Sequence, residues 1–166
     1  MPANCVIRRT TPDDIETVLG LIRGLADYEK LDPPDEEACA RLKEHGWGSA
    51  PKFEAWIAEV DGVAVGYAVL FETYSSFLAK PTLYLEDIFL LPESRGAGVG
   101  KQFIEKLAAE AVARDCGRME WVCLDWNTPS LGFYEKLGAT QMHEWVSHRL
   151  DGEALTTLGS RLQTQD

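Results

Sequence analysis

Two adjacent carboxylates, Glu86 and Asp87, stand inside an otherwise apolar run over residues 82–91. Burying a carboxylate costs free energy unless it is paired or used. A pair placed this way can hold a cation and take a proton from it. Successive strand residues face opposite ways, so one of the two is expected in a cleft and the other away from it. Two solvated acids at a strand rim are the alternative.

Past Pro92 comes Arg95-Gly96-Ala97-Gly98-Val99-Gly100-Lys101, between a strand and a helix. Glycines let backbone N–H groups approach an anion closely, and a helix N-terminus adds partial positive charge. Arg95 and Lys101 supply full charges. The segment therefore suits a diphosphate; a purely structural glycine turn is the alternative. It is not a Walker loop, because Gly-Lys-Ser/Thr is missing, nor a dinucleotide G-x-G-x-x-G, because Lys101 stands where the third glycine belongs. Further on, Asn127-Thr128-Pro129-Ser130 opens a short helix that carries Tyr134. Asn127 suits a helix cap. A phenol can donate a proton, although an aromatic core residue is the commoner role for Tyr.

Hydrophobic spacing and turn chemistry give the elements that must position these groups. Residues 5–9 read as a strand. Thr11-Pro12-Asp13-Asp14 is a helix start, with a capping Thr, Pro in the first turn and acids at the positive end. Ile15, Val18, Leu19, Ile22 and Leu25 carry that helix to about residue 29. Pro33-Pro34 breaks it, and a second, acidic helix over 35–44 ends at Gly46 and Gly48. Strands over 53–60 and 63–73 meet at Asp61-Gly62, a tight hairpin signal. Residues 74–81 read as a loop and 82–91 as a strand. A helix over 98–114 has Phe103, Ile104, Leu107, Ala108 and Ala111 on its apolar face. A strand over 118–124 and a short helix ending at Gly138, an αL cap, follow. Strands over 140–150 and after Asp151-Gly152 complete the pattern, before a polar tail at 160–166. The expectation is one α/β (α+β) domain over 1–166, with its core over 4–158 and a mixed, mainly antiparallel sheet.

The net charge is −11, from 16 Lys and Arg against 27 Asp and Glu. Such a chain repels nucleic acid and attracts cations. Cys5, Cys39, Cys116 and Cys123 form no C-x-x-C pair, so reduced, buried thiols are expected. His45, His143 and His148 have no metal-ligand spacing, and no metal is expected. No apolar leader is visible at the N-terminus, and the longest apolar stretch, about 63–71, is too short to span a bilayer. A cytoplasmic protein that binds neither membrane nor nucleic acid is the expectation.

The element order, the Arg-Gly-x-Gly-x-Gly loop after a Pro-terminated strand, and Asn127 with Tyr134 resemble the GNAT superfamily of N-acetyltransferases. The likeness runs from Val6 to about Leu150. Leu25-Ala26-Asp27-Tyr28-Glu29-Lys30-Leu31, Tyr84-Leu85-Glu86-Asp87-Ile88, and Leu124-Asp125-Trp126-Asn127 with Phe133-Tyr134 are most similar to its diamine and thialysine acetyltransferase group. The resemblance implies that residues 95–101 hold the diphosphate of acetyl-CoA. It implies that Ile88, Phe89 and Leu90 pair their backbone with the pantetheine arm, and that Asn127 and Ser130 also reach the coenzyme. It gives Tyr134 the role of proton donor and Glu86 that of amine recognition and deprotonation. Tyr28, Glu29 and Asp87 would contact a small cationic amine. A homodimer is implied as well.

That chemistry has two proton problems. An alkylamine with a pKa of ~10.4 is protonated at neutral pH and is then no nucleophile. The leaving thiolate gains from a proton, so an acid and a base are both required. Polyamine-acetylating relatives carry an Asp and a Trp in the loop before Leu85-Glu86-Asp87; here it reads Tyr74-Ser75-Ser76-Phe77. The missing acid favours a thialysine- or lysine-like acceptor or a short diamine over polyamines. Acetylation of protein or antibiotic amines, and an idle acyl-CoA-binding sensor, are the rival readings.

Overall fold

A computed structural model describes residues 4–161. The chain divides into two compact units at Leu124/Asp125. The first carries a five-stranded sheet in the order β1-β2-β3-β4-β5. Its strands are β1 (Cys5–Arg9), β2 (Glu54–Val60), β3 (Val63–Ser75), β4 (Lys80–Leu90) and β5 (Arg118–Glu120). The first three pairings are antiparallel and β4–β5 is parallel. That parallel step needs a crossover, supplied by the helix α3 (Val99–Ala113). The helices α1 (Ile15–Glu29) and α2 (Glu36–Trp47) lie between β1 and β2 in sequence.

Strand alternation divides the core between two faces. Ala55, Ile57, Tyr67, Val69 and Phe89 pack against Val18 and Leu21 of α1. Glu54 and Trp56 turn to the other face, where Arg114 grips Glu54 through two hydrogen bonds of 2.7 and 2.9 Å and Lys106 lies over the Trp56 ring. α3 buries Phe103, Ile104, Leu107 and Ala111. At the first turn, Asp14 accepts from the Thr11 N–H at 2.7 Å and from the Arg8 guanidinium, which also clamps Glu59.

Turn chemistry acts locally as the residues require. Asp61 and Gly62 both have positive φ, 51° and 79°, the signature of a type I′ hairpin. α2 continues through Gly46 to Trp47, beyond the expected stop near Glu44. A Cβ at Gly46 would lie 2.8 Å from the Phe53 ring, so this glycine admits a neighbour rather than ending the helix.

The segment expected as a loop at 74–81 is half strand. β3 runs to Ser75 and β4 starts at Lys80, and Ser75 Oγ accepts from the Leu78 N–H inside the tight turn. β5 stops at Glu120 instead of Leu124, because only Thr82–Tyr84 of β4 offers it hydrogen-bond partners. Burial holds only for Cys39; Cys5, Cys116 and Cys123 are half-buried, since they sit at a strand end, a helix end and beyond β5.

The second unit holds α4 (Thr128–Lys136) and α5 (Gly152–Ser160). Asn127 caps α4, accepting from the Ser130 N–H at 3.4 Å. The Gly138 N–H donates to the Glu135 carbonyl and the Ala139 N–H to that of Tyr134. With Gly138 at φ +90°, this is a Schellman ending. The strands expected over 140–150 and after Gly152 do not form among the described residues. Residues 140–150 are exposed and pair with no strand. Leu155 and Leu158 have helical rather than alternating spacing, and α5 begins with the Leu155 N–H on the Asp151 carbonyl. Of the expected tail, Ser160 ends α5 and 162–166 lie outside the described residues.

Candidate functional site

The two central carboxylates share a face because the β3–β4 ladder is irregular beside them. Val69 pairs with Asp87 and Leu70 with Leu85, so Glu86 has no partner across the ladder. An extra residue of this kind bulges the strand and re-aims its side chains. The expectation that Glu86 and Asp87 point to opposite faces is therefore wrong. Both line one cavity of about 430 Å³, with Ile22, Leu42, Lys52, Phe53, Val69 and Phe71.

The two acids differ in environment. Glu86 is exposed, and Asp87 is half-buried. Tyr67, buried in the core, donates its hydroxyl to Asp87 Oδ2 at 3.2 Å. Burial pushes the Asp87 carboxyl up to about 6. The charges of Glu86 and Glu29 push the same way, while the Tyr67 hydrogen bond opposes them. A carboxyl in that range is largely ionised at neutral pH and still able to accept a proton. Burial first, then the Asp87 charge, drives the Tyr67 phenol far up, so it remains a donor.

The glycine loop has the form that an anion requires. Pro92–Ser94 makes a short 3₁₀ turn. Gly96 and Gly98 then take positive φ, 79° and 88°, and a Cβ at either would meet no atom within 4 Å. The cradle is thus not filled by the protein's own side chains. Gly98 starts α3 with no capping side chain, and no acid stands in the first turn. By contrast, α2 starts with Asp35 accepting from the Ala38 N–H, followed by Glu36 and Glu37. The N–H groups of α3's first turn lack that internal acceptor. Val99 is buried and anchors the loop, while Ala97 is exposed and Gly100 half-buried.

The two cations of the loop are engaged within the first unit. The Arg95 guanidinium lies 4.7 Å from the Tyr28 ring centre and 5.7 Å from that of Phe89, and its Nε donates to the Leu90 carbonyl at 3.0 Å. It thereby joins the glycine loop to the end of α1, where Glu29 acts on Asp87. Lys101 pairs with Glu105 at 2.9 Å on the helix surface.

β4 also presents an open edge. Its pairing with β5 ends at Tyr84, so Ile88, Phe89 and Leu90 have no strand neighbour on that side among the described residues. An extended ligand can add to such an edge through main-chain hydrogen bonds.

In the second unit, Asn127 and Ser130 are joined by the cap of α4, and Tyr134 is half-buried with its ring 5.3 Å from that of Phe133. Among the described residues, no group of three His, Cys, Asp or Glu side chains is arranged to hold a metal, and no helix is long and apolar enough to cross a membrane. Another cavity of about 410 Å³ lies between α1 and α2. Its Lys43 is satisfied by Glu16 at 2.6 Å, and it gathers no site residue expected from the sequence.

Sequence reasoning missed Tyr67, Phe71 and Lys52. A hydroxyl among the inward positions of an apolar strand was the available signal for Tyr67. Nothing in the sequence pattern placed Lys52 or Phe71 in one cavity with Glu86, since the register between strands has no local motif.

Comparison with known proteins agrees with this architecture. Residues 18–139 match the acetyltransferase (GNAT) family. A thialysine N-epsilon-acetyltransferase from Sus scrofa is 34% identical over 96% of this chain and 99% of its own length. The L-ornithine N5-acetyltransferase NATA1 of Arabidopsis thaliana is 42% identical, over 59% of this chain and 43% of its own. The solved aminoglycoside N-acetyltransferase AAC(6′)-Iy in complex with CoA is 27% identical, with a TM-score of 0.71, over 88% of this chain and 94% of that one. The chain belongs to the GNAT acetyltransferase family. It is an enzyme, an N-acetyltransferase that transfers acetyl groups to amines.

Proposed function

We propose that this chain transfers the acetyl group of acetyl-CoA directly, within a ternary complex, to a primary amine of a small cationic acceptor. The acceptor is thialysine- or lysine-like, or a short diamine. The observation that carries this is the bulge at Glu86, which turns two carboxylates into one cavity on the strand whose free edge leads to the glycine loop. The names of the thialysine and ornithine relatives support the acceptor class.

Acetyl-CoA supplies an activated acetyl thioester. Gly96, Gly98 and Gly100 would hold its diphosphate with the positive end of α3, and Arg95 and Lys101 would add charge. Ile88, Phe89 and Leu90 would take the pantetheine arm along the free edge, and Asn127 and Ser130 would hold it further along. Asp87, Glu29 and Tyr28 bind the acceptor. Glu86 takes the proton of its ammonium, directly or through water, and frees the nucleophile. The Tyr134 hydroxyl is the proton donor at the departing sulfur. The 42-residue second unit is too small to hold a core of its own, which supports one acetyltransferase domain over the whole chain. A cytoplasmic homodimer completes the reading, on the family resemblance and on a co-substrate made inside cells.

The test is coenzyme A release with acetyl-CoA and a panel of lysine, thialysine, short diamines, spermidine and peptide amines. Amine-dependent release with lysine-like or diamine acceptors, lost in Glu86→Gln, supports the proposal. Tight acetyl-CoA binding without turnover on any amine would make the chain a sensor. Initial rates that vary as parallel lines would replace direct transfer with a two-step route.

A further inference from the structure

The cavity below Glu86 carries charge of both signs. Glu86 and Asp87 on β4 stand at one side, and Lys52, just before β2, at the other. Between them β3 contributes Val69 and Phe71, with Ile22, Leu42 and Phe53 completing apolar walls. β3 lies between the two charged margins, which are two inter-strand spacings or roughly 10 Å apart across the sheet. Ala55 stands in the row of Val69 and Asp87, so Lys52 lies three residues, roughly another 10 Å, further along. The Lys52 and Glu86 side chains reaching inward leave a gap that an extended lysine-type molecule can span from its carboxylate to its terminal amine.

Lys52 is held where it stands by the backbone. Its N–H donates to the His45 carbonyl at 2.7 Å. The adjacent Phe53 ring packs edge-on against Trp47, with centroids 6.0 Å apart, in the space left by Gly46. Among the described residues no carboxylate forms an ion pair with Lys52. A lysine at the mouth of a cation-binding cavity is unfavourable for any acceptor with a second cation at that end. It is favourable for one that ends in an anion.

We infer that Lys52 is the carboxylate-binding residue of the acceptor cavity, so that the preferred acceptor is a diamino carboxylic acid with its carboxylate at Lys52 and its terminal amine at Glu86. This rests on the reading of that cavity as the acceptor site. It adds a residue that selects between acids and simple diamines, and it excludes long polyamines by charge as well as by the missing acid near Ser75.

The experiment compares matched acceptors that differ only in the carboxylate: lysine with cadaverine, and ornithine with putrescine. kcat/KM is measured for wild type, Lys52→Ala, Lys52→Glu and Lys52→Arg at saturating acetyl-CoA. Lys52→Ala should lower kcat/KM for the amino acids about 2- to 5-fold, the loss of one ion pair to an exposed lysine, mainly through KM. The diamines should be unchanged or improved. Lys52→Glu should invert the preference, Lys52→Arg should keep it, and the wild-type preference should shrink as salt rises. Equal changes for acids and diamines, or none, would overturn the inference while Glu86→Gln still abolishes both activities. If Glu86→Gln and Asp87→Asn spare both, the cavity reading falls and the Lys52 inference with it.

Discussion

The buried Tyr67 hydroxyl donates to Asp87 across the β3–β4 ladder at 3.2 Å, and this one bond opposes everything else that acts on the carboxyl. Burial, Glu86 and Glu29 all favour its protonated form. Tyr67→Phe removes the opposing contact and should raise the Asp87 pKa above about 6. The acid limb of the kcat/KM–pH profile should move to higher pH, with activity retained at pH 8 to 9. An unmoved limb would take Asp87 out of the pH control of catalysis.

Asp87 also sets a stability cost. Its carboxyl is raised from 3.8 to about 6 on folding. The folded protein therefore binds the proton more tightly, and the associated stability is full below pH 3.8 and lost as pH rises through 6. Asp87→Asn should make the protein more stable at pH 8, by up to about 3 kcal/mol, with lower activity. Denaturant unfolding at pH 4 and 8 checks this: the gain should appear only at the higher pH.

Gly98 needs its left-handed φ of 88° and leaves open space beside it. Gly98→Ala should cost about 1–2 kcal/mol of strain and intrude a methyl on the anion cradle. The KM for acetyl-CoA should rise about tenfold or more, while that of the amine changes little. Isothermal titration with coenzyme A gives the same quantity without turnover.

Tyr134→Phe keeps the ring against Phe133 and removes only the hydroxyl. kcat should fall about 100-fold, within the range of general acid catalysis, with coenzyme affinity preserved. Unchanged turnover would assign the proton to another group.

Much of the first unit was legible because its signals are local. Asp61-Gly62 demanded a type I′ turn, Thr11-Pro12 a helix start, and Gly96 with Gly98 a left-handed approach to α3. The glycine loop and the Glu86-Asp87 pair could be read as chemistry for the same reason. What failed depends on partners distant in sequence. The bulge at Glu86 is a property of the β3–β4 register, so a strict alternation of faces separated two side chains that line one cavity. β5 ends where β4 stops pairing, and residues 140–150 have strand-like composition but join no ladder among the described residues. Lys52 looks like any surface lysine until Phe53 is seen folded over Gly46.

The side of β4 beyond Tyr84, which has no strand neighbour among the described residues, is also a hazard. Main-chain groups on such an edge would invite another protein's strand as readily as an extended ligand. In this chain the vulnerable stretch is short, bounded by the kink at Glu86 and by Pro92, whose nitrogen cannot extend a ladder. A foreign chain therefore finds too few rungs to hold, and saturating the protein with coenzyme during purification should suppress what edge-to-edge clumping is left.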